Sequence, residues 1–341
     1  MYDGGKRQKN REYLIVRLSR YVGGVTLEKS SRIYVAGHTG MVGSALFREL
    51  TKLGYKNIVT RTHKQLDLTD QASTEAFFQQ EKPEYVFLAA AKVGGIYANS
   101  TYPADFIMEN MLIECNVIRS AYANQVKKLM LLGSSCIYPK LCPQPIREEY
   151  LLTGELESTN EAYALAKISG IIMCQSYNQQ YDTQYISVMP ASLYGENDRF
   201  DINNSHVIPA MMIKIYRAKT EGKPFVELWG TGSPLREFLY ADDMADACIE
   251  LMNHYSGNDF INIGSGDEIS IRELAEIIKK TVGYQGDILF DSSKPDGTPR
   301  RVLDNARILS TGWEPKVKME EGIRREYGYF LEHILPGMNR S

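Results

Sequence analysis

The stretch from Arg32 to Leu53 constrains this chain more than any other. A short apolar run, Ile33-Tyr-Val-Ala36, leads through Gly37-His38-Thr39-Gly40-Met41-Val42-Gly43 into helix-like apolar spacing over Val42 to Leu53. Glycines spaced three apart between a strand and a helix allow a tight turn. They also let the backbone approach a pyrophosphate, and let helix meet strand without side chains between them. The free N–H groups at the helix start then face an anion. With 27 glycines in 341 residues, three in register are a weak signal alone. The strand before them and the helix after them turn that signal into a dinucleotide loop.

The downstream pattern agrees. Strands are expected at 57–61, 85–90, 128–133 and 185–189, alternating with helices at 73–81, 105–124 and 161–179. Short apolar strands alternating with helices predict an α/β fold with a doubly wound parallel (Rossmann) sheet. After Pro190 the order becomes irregular. An Asn/Asp-rich loop at 195–205, apolar runs at 225–229 and 260–263, and three separated helical stretches read as a smaller C-terminal α/β substrate domain. The expected division is therefore a basic extension over 1–31, a cofactor domain over 32–189 and mainly a substrate domain over 190–333, some segments returning to the main sheet.

Composition narrows the partners by exclusion. A net charge of −3 provides no basic field for nucleic acid. No run approaches the roughly 18 apolar residues of a membrane span. Cysteines 115, 136, 142, 174 and 248 are odd in number and lack metal-like spacing, which suits reduced thiols in a cytoplasmic protein with no metal. The apolar run Leu14-Ile-Val16 is too short for a signal peptide, and Asp3, Glu12 and Glu28 argue against a transit peptide.

The end of the second strand bears on cofactor choice. NAD sites commonly place Asp or Glu there for the ribose 2′-hydroxyl, about 20 residues past the glycines. Here Thr60-Arg61-Thr62-His63-Lys64 has no acid before Asp67. Arg61, His63 and Lys64 suit a 2′-phosphate, hence NADP(H), and Asp67 is placed to meet the adenine end.

Tyr163 and Lys167 stand four apart, on one face of a predicted helix. A neighbouring ammonium is expected to lower the phenol's pKa and let Tyr163 exchange a proton with a substrate oxygen. The spacing is cheap, since Tyr2 and Lys6 match it too. Position raises its value, because Gly133-Ser134-Ser135-Cys136 closes the preceding strand, where open α/β sheets bind ligands. Taken singly, Cys136 reads as an inert buried thiol and His206 as a satisfied imidazole.

The loop, the serine and the Tyr-x-x-x-Lys pair resemble the extended short-chain dehydrogenase/reductases that act on nucleotide sugars. Within them, Ala36-Gly-His-Thr-Gly-Met-Val-Gly-Ser-Ala45, Leu88-Ala-Ala-Ala-Lys-Val-Gly-Gly95, Thr101-Tyr-Pro-Ala-Asp-Phe106, Gly133-Ser-Ser-Cys-Ile-Tyr-Pro-Lys140, Ser205-His-Val-Ile-Pro-Ala210 and Ser293-Lys-Pro-Asp-Gly-Thr-Pro-Arg300 are similar to the GDP-L-fucose synthase family. The resemblance covers residue 32 to about 333. It implies epimerisation of GDP-4-keto-6-deoxy-D-mannose at C3 and C5, followed by NADPH-dependent reduction at C4. It also implies Ser134, Tyr163 and Lys167 as the reductive set, and Cys136 and His206 as acid and base in either order. Pro190 and His206 are further cofactor contacts on this basis. Lys214, Trp229, Arg236 and Asp296 are substrate contacts, and a homodimer is expected to pair the helices near 105–123 and 160–178.

Two departures qualify the match. Some members carry arginine in the glycine loop and after the second strand, where this chain has Thr39 and His63. Met189-Pro-Ala-Ser-Leu-Tyr-Gly-Glu-Asn-Asp198 also departs from the commoner form. The alternatives are a 4-epimerase or 4,6-dehydratase of the same superfamily, or a non-catalytic cofactor sensor on this fold.

Overall fold

A strand buried on both faces needs apolar side chains in both directions, and Ile33-Tyr-Val-Ala36 supplies them: β1 (Ile33–Ala36) is buried throughout. The computed structural model describes residues 26–201, 205–294 and 296–338. Residues 1–25 of the basic extension lie outside them. The packed chain begins before Arg32, since Leu27 is buried and the Thr26 carbonyl accepts a 2.8 Å bond from the Tyr85 hydroxyl.

β1 leads into α1 (Met41–Lys52), β2 (Ile58–Val59), α2 (Gln71–Glu81) and β3 (Tyr85–Leu88). The expected strand at 57–61 is only two residues long. A short helix absent from the sequence reading, α3 (Ile96–Thr101), precedes α4 (Pro103–Ala123), whose start is fixed by proline at its first position. Then come β4 (Lys128–Leu132), α5 (Glu161–Tyr181) and β5 (Tyr185–Pro190).

These strands form a parallel sheet of order β2-β1-β3-β4-β5-β9, where β9 is Ile261–Ile263. The chain reverses direction across the sheet between β1 and β3, opening the crevice where doubly wound sheets bind ligands. One face is covered by Ala45, Leu46 and Leu50 of α1 with Met244, Ala245 and Cys248 of a later helix. Phe77 and Phe78 of α2, Val117 and Ile118 of α4 and Ile168 and Ile171 of α5 cover the other.

Beyond β5 the chain forms β6 (Ser192–Tyr194), α6 (Val207–Thr220), β7 (Phe225–Trp229), β8 (Leu235–Tyr240) and α7 (Ala241–His254). After β9 come β10 (Glu268–Ser270), α8 (Ile271–Val282), β11 (Asp287–Asp291), β12 (Arg300–Arg301), α9 (Ala306–Leu309) and α10 (Met319–Tyr329). α7 and β9 rejoin the main sheet. Lys128, fully buried at the start of β4, donates to the carbonyls of Leu251, Met252 and Tyr255 and ties the end of α7 to the strand. β8 pairs with β6, β10 and β12, while β7 pairs with β11. Buried Glu237 in β8 accepts from the Gly266 and Leu303 N–H groups and the Asn305 amide, holding two later segments against β8.

Candidate active site

The glycine loop has the shape a dinucleotide requires. Gly37 takes φ +81°, and a Cβ there would lie 2.7 Å from the Ala90 nitrogen. A Cβ at Gly43 would stand 2.1 Å from the Gly37 carbonyl oxygen, so strand and helix meet with no room for a side chain. Gly40 caps α1 with no side-chain bond, and the first turn holds no acid, leaving its N–H groups free for an anion. Thr39 and Gly40 are exposed, Met41 and Val42 half-buried, and the buried His38 Nδ1 has no partner among the described residues.

The second strand's end is less open than its composition suggested. Arg61 is already engaged, bonding the Glu81 carboxylate at 2.5 Å and its neighbour Thr60 carbonyl at 2.7 Å. His63 and Lys64 are exposed, His63 lying 3.9 Å from Asp67. Asp67 accepts from the N–H and hydroxyl of Thr69, which hold its carboxyl below the ordinary range. Pro190 is the buried last residue of β5, paired with Ile263.

At the end of β4, Ser134 starts a single 3₁₀ turn over Ser135–Ile137 and accepts the Cys136 N–H at 3.2 Å. The Tyr163 phenol stands within electrostatic reach of this turn, feeling both Ser134 and Cys136. Phe106 from α4 meets the Tyr163 ring edge-on at 6.3 Å. The tyrosine departs from expectation: its pKa lies above the ordinary value, raised first by burial and then by the charges of Cys136 and Glu114. The ammonium does not dominate, because the fully buried Lys167 pairs with buried Glu114 at 3.0 Å, while its Nζ is 6.0 Å from the tyrosine ring centroid. Glu114 escaped the sequence reading, although an acid on the inward stripe Phe106, Asn110, Glu114, Ile118 was a usable signal.

His206 caps α6 and is half-exposed, its Nδ1 3.5 Å from the buried Asp198 carboxylate. That hydrogen bond raises the imidazole pKa. The loop carrying Asp198 is anchored to α1: the Asn197 amide donates to Ser44 at 3.0 Å, and Tyr329 donates to Asn197 at 3.0 Å. Among the described residues no hydrogen bond or ion pair joins His206 to Cys136, Ser134 or Tyr163. The two groups come from different elements, the turn after β4 and the start of α6.

On the β7 side, Trp229 is two-thirds exposed, with the Lys214 and Lys294 ammoniums 5.6 and 5.9 Å from its ring centroid. Arg236 in β8 donates to the Thr298 carbonyl at 2.7 Å and lies in register with Arg301. Arg301, which the sequence reading missed, donates to the Ser135 carbonyl at 2.6 Å and connects this cationic strand pair to the turn that carries Ser134 and Cys136. Asp296 is occupied by Thr231, accepting from its N–H at 2.9 Å and its hydroxyl at 2.7 Å. It thus shapes the loop beside Trp229 and Arg236.

Comparison with known proteins agrees with this geometry. Residues 33–264 match the NAD dependent epimerase/dehydratase family. GDP-L-fucose synthase 1 of Arabidopsis thaliana is 56% identical over 307 residues, 90% of this chain and 95% of that one. GDP-L-fucose synthase of Escherichia coli K12 is 51% identical, over 89% and 97% of the two chains. A solved GDP-L-fucose synthetase from Naegleria fowleri superposes with a TM-score of 0.85 at 30% identity, over 91% and 96%. The chain belongs to the NAD dependent epimerase/dehydratase family, in the branch of the GDP-L-fucose synthases.

Proposed function

We propose that this enzyme converts GDP-4-keto-6-deoxy-D-mannose to GDP-L-fucose, inverting C3 and C5 and then reducing the C4 ketone, with NADP(H) as cofactor. The observation that supports it most is the turn after β4, where Ser134 accepts the Cys136 N–H and the Tyr163 phenol stands within electrostatic reach of both, at the end of a dinucleotide-type sheet. The loop Gly37 to Gly43 and the open start of α1 would hold the pyrophosphate, and the exposed Lys64 with Arg61 the 2′-phosphate. When bound, the dinucleotide supplies the two electrons and hydrogen that C4 gains.

The residues divide the work as follows. The C4 ketone acidifies the protons on C3 and C5, because the carbanion is delocalised as an enolate. Inversion removes a proton on one face and returns one on the other. Cys136 and His206 serve the two faces, and Asp198 keeps a proton on His206 to higher pH, which makes His206 the donor and Cys136 the acceptor. Ser134 holds the carbonyl oxygen, and Tyr163 delivers the proton that completes the alcohol. Lys214, Trp229 and Arg236 receive the GDP portion through charge and a flat wall. Residues 32–189 carry the cofactor and 190–333 most of the substrate contacts, with α7 and β9 returned to the sheet.

The working unit is a cytoplasmic homodimer joined through α4 and α5. Met108 and Leu112 on α4 and Leu165 and Ile172 on α5 are large apolar side chains left exposed.

Incubation with the keto sugar and NADPH, against NADH, with product analysis tests substrate, reaction and cofactor together. In D₂O without NADPH, deuterium is expected at C3 and C5. Cys136→Ser removes most of that exchange, and Tyr163→Phe mainly stops reduction. Exchange at the wild-type rate in Cys136→Ser would defeat the acid/base assignment.

A further inference from the structure

The Tyr163–Lys167 pair has a third member. Glu114 comes from α4, and its carboxylate lies 3.0 Å from the Lys167 ammonium, both side chains almost wholly excluded from solvent. Gly170, one turn beyond Lys167 on α5, makes room for it. A Cβ there would sit 2.4 Å from Glu114 Oε2 and 2.8 Å from Leu131 on β4. The acid is therefore set flush against the helix that carries the catalytic pair. Neither of its oxygens has a hydrogen-bond partner besides the ammonium among the described residues.

The charges around the phenol can be enumerated. Lys167 is on its own helix, Glu114 on α4, and Cys136 with Ser134 on the turn after β4. Cys115 and Cys174 also lie within reach of the Glu114 charge, and both thiols are raised mainly by burial. An ammonium alone would favour phenolate, whereas an ammonium locked to a carboxylate in a water-free layer projects little net charge.

We propose that Glu114 is a positioning residue for Tyr163: locked on Lys167, it offsets the ammonium's charge and keeps Tyr163 a phenol, so that the site delivers a proton. This rests on the reductase reading above. In the step it serves, the Tyr163 O–H bond breaks and a new O–H bond forms on the substrate's C4 oxygen. The ketone π pair becomes that oxygen's lone pair as C4 gains hydrogen and two electrons from the reduced nicotinamide. The phenolate left behind recovers a proton from water.

The test follows single-turnover NADPH oxidation against pH. NADPH is added to full-length enzyme already equilibrated with GDP-4-keto-6-deoxy-mannose, so that exchange at C3 and C5 is complete. Glu114→Gln keeps shape and hydrogen bonding but removes the charge. It is expected to move the alkaline limb of the reduction rate down by about one pH unit, the low end of a neighbouring-charge effect. Glu114→Asp, which keeps the charge, returns the limb to the wild-type position at a lower plateau. A Glu114→Gln limb that stays in place with only a reduced plateau, or moves upward, overturns the proposal. If Glu114→Gln does not fold, Gly170→Ala serves instead. Its Cβ drives the carboxylate off Lys167 and is expected to move the limb downward, and a folded Gly170→Ala with an unmoved limb also overturns it. Wild-type enzyme that fails to reduce the keto sugar defeats the functional reading itself, an outcome distinct from either.

Discussion

Gly43→Ala separates two reasons a loop can need glycine. Gly43 does not adopt a left-handed backbone, so an alanine meets no conformational penalty there. What it lacks is room: its Cβ would lie 2.1 Å from the Gly37 carbonyl oxygen, 2.5 Å from the Gly37 carbonyl carbon and 2.8 Å from His38 Cα. All three are backbone atoms, which no rotamer change can move. Ordinary contact demands a shift of roughly 1.3 Å between the β1 end and the first turn of α1. Overpacking of this kind costs about 1–3 kcal/mol, and for a chain of this length a melting-temperature fall of about 1–4 °C is expected. The same shift pulls the helix-start N–H groups from a bound pyrophosphate. Losing one charge-assisted hydrogen bond, about 1.5–3 kcal/mol, weakens NADPH at least tenfold. Gly54→Ala is the control. Gly54 has φ +85° but nothing within 4 Å of an added Cβ, so alanine there costs about 1–2 kcal/mol of stability and leaves NADPH affinity unchanged. Fluorescence titration with NADPH, with thermal unfolding of both variants, reads the two effects. Gly43→Ala that binds NADPH within about twofold of wild type, or Gly54→Ala that weakens binding equally, would refute the steric account.

Two further outcomes follow from buried acids in the C-terminal half. The Asp198 hydrogen bond raises the His206 pKa, so protonated His206 persists to higher pH in the wild type. Asp198→Asn should therefore move the alkaline limb of deuterium exchange at C3 and C5 to lower pH, and an unmoved limb would separate Asp198 from the imidazole. Glu326 is fully buried beside Asp198, with neither oxygen hydrogen-bonded among the described residues, and burial followed by the Asp198 charge pushes its pKa well above 4.5. An acid whose folded-state pKa is raised contributes its stability below the unfolded pKa and loses it as pH climbs toward the folded one. Urea unfolding from pH 5 to 9 should then show the wild type losing up to about 1.4 kcal/mol per pH unit relative to Glu326→Gln. Parallel profiles for the two proteins would contradict this.

Much of the fold was legible because its signals are local. Ile33-Tyr-Val-Ala36 is apolar on both sides, glycines recur every third residue after it, and Pro103 opens α4. Such features determine strand, turn and helix within a few residues of themselves. The two-residue β2 was overread, because its neighbours Thr60 and Arg61 have strand-like character but find no ladder partner. Four of the five catalytic candidates, Ser134, Cys136, Tyr163 and Lys167, lie around a single turn and helix start, and their order along the chain already suggested it.

Tertiary packing decided which charges those residues feel. Glu114 and Lys167 meet because α4 and α5 pack side by side on one face of the sheet, and burial there, with the Glu114 charge, raises the Tyr163 pKa. Asp198 reaches His206 across a loop anchored on α1, and Arg301 reaches the Ser135 carbonyl from the far end of the chain. The sequence by itself determined the strand–loop–helix frame and the kinds of group that do chemistry, since periodicity and glycine spacing act between near neighbours. Only the tertiary structure decided the protonation bias of those groups. Burial and charge act through space, between residues whose separation along the chain says nothing about their distance.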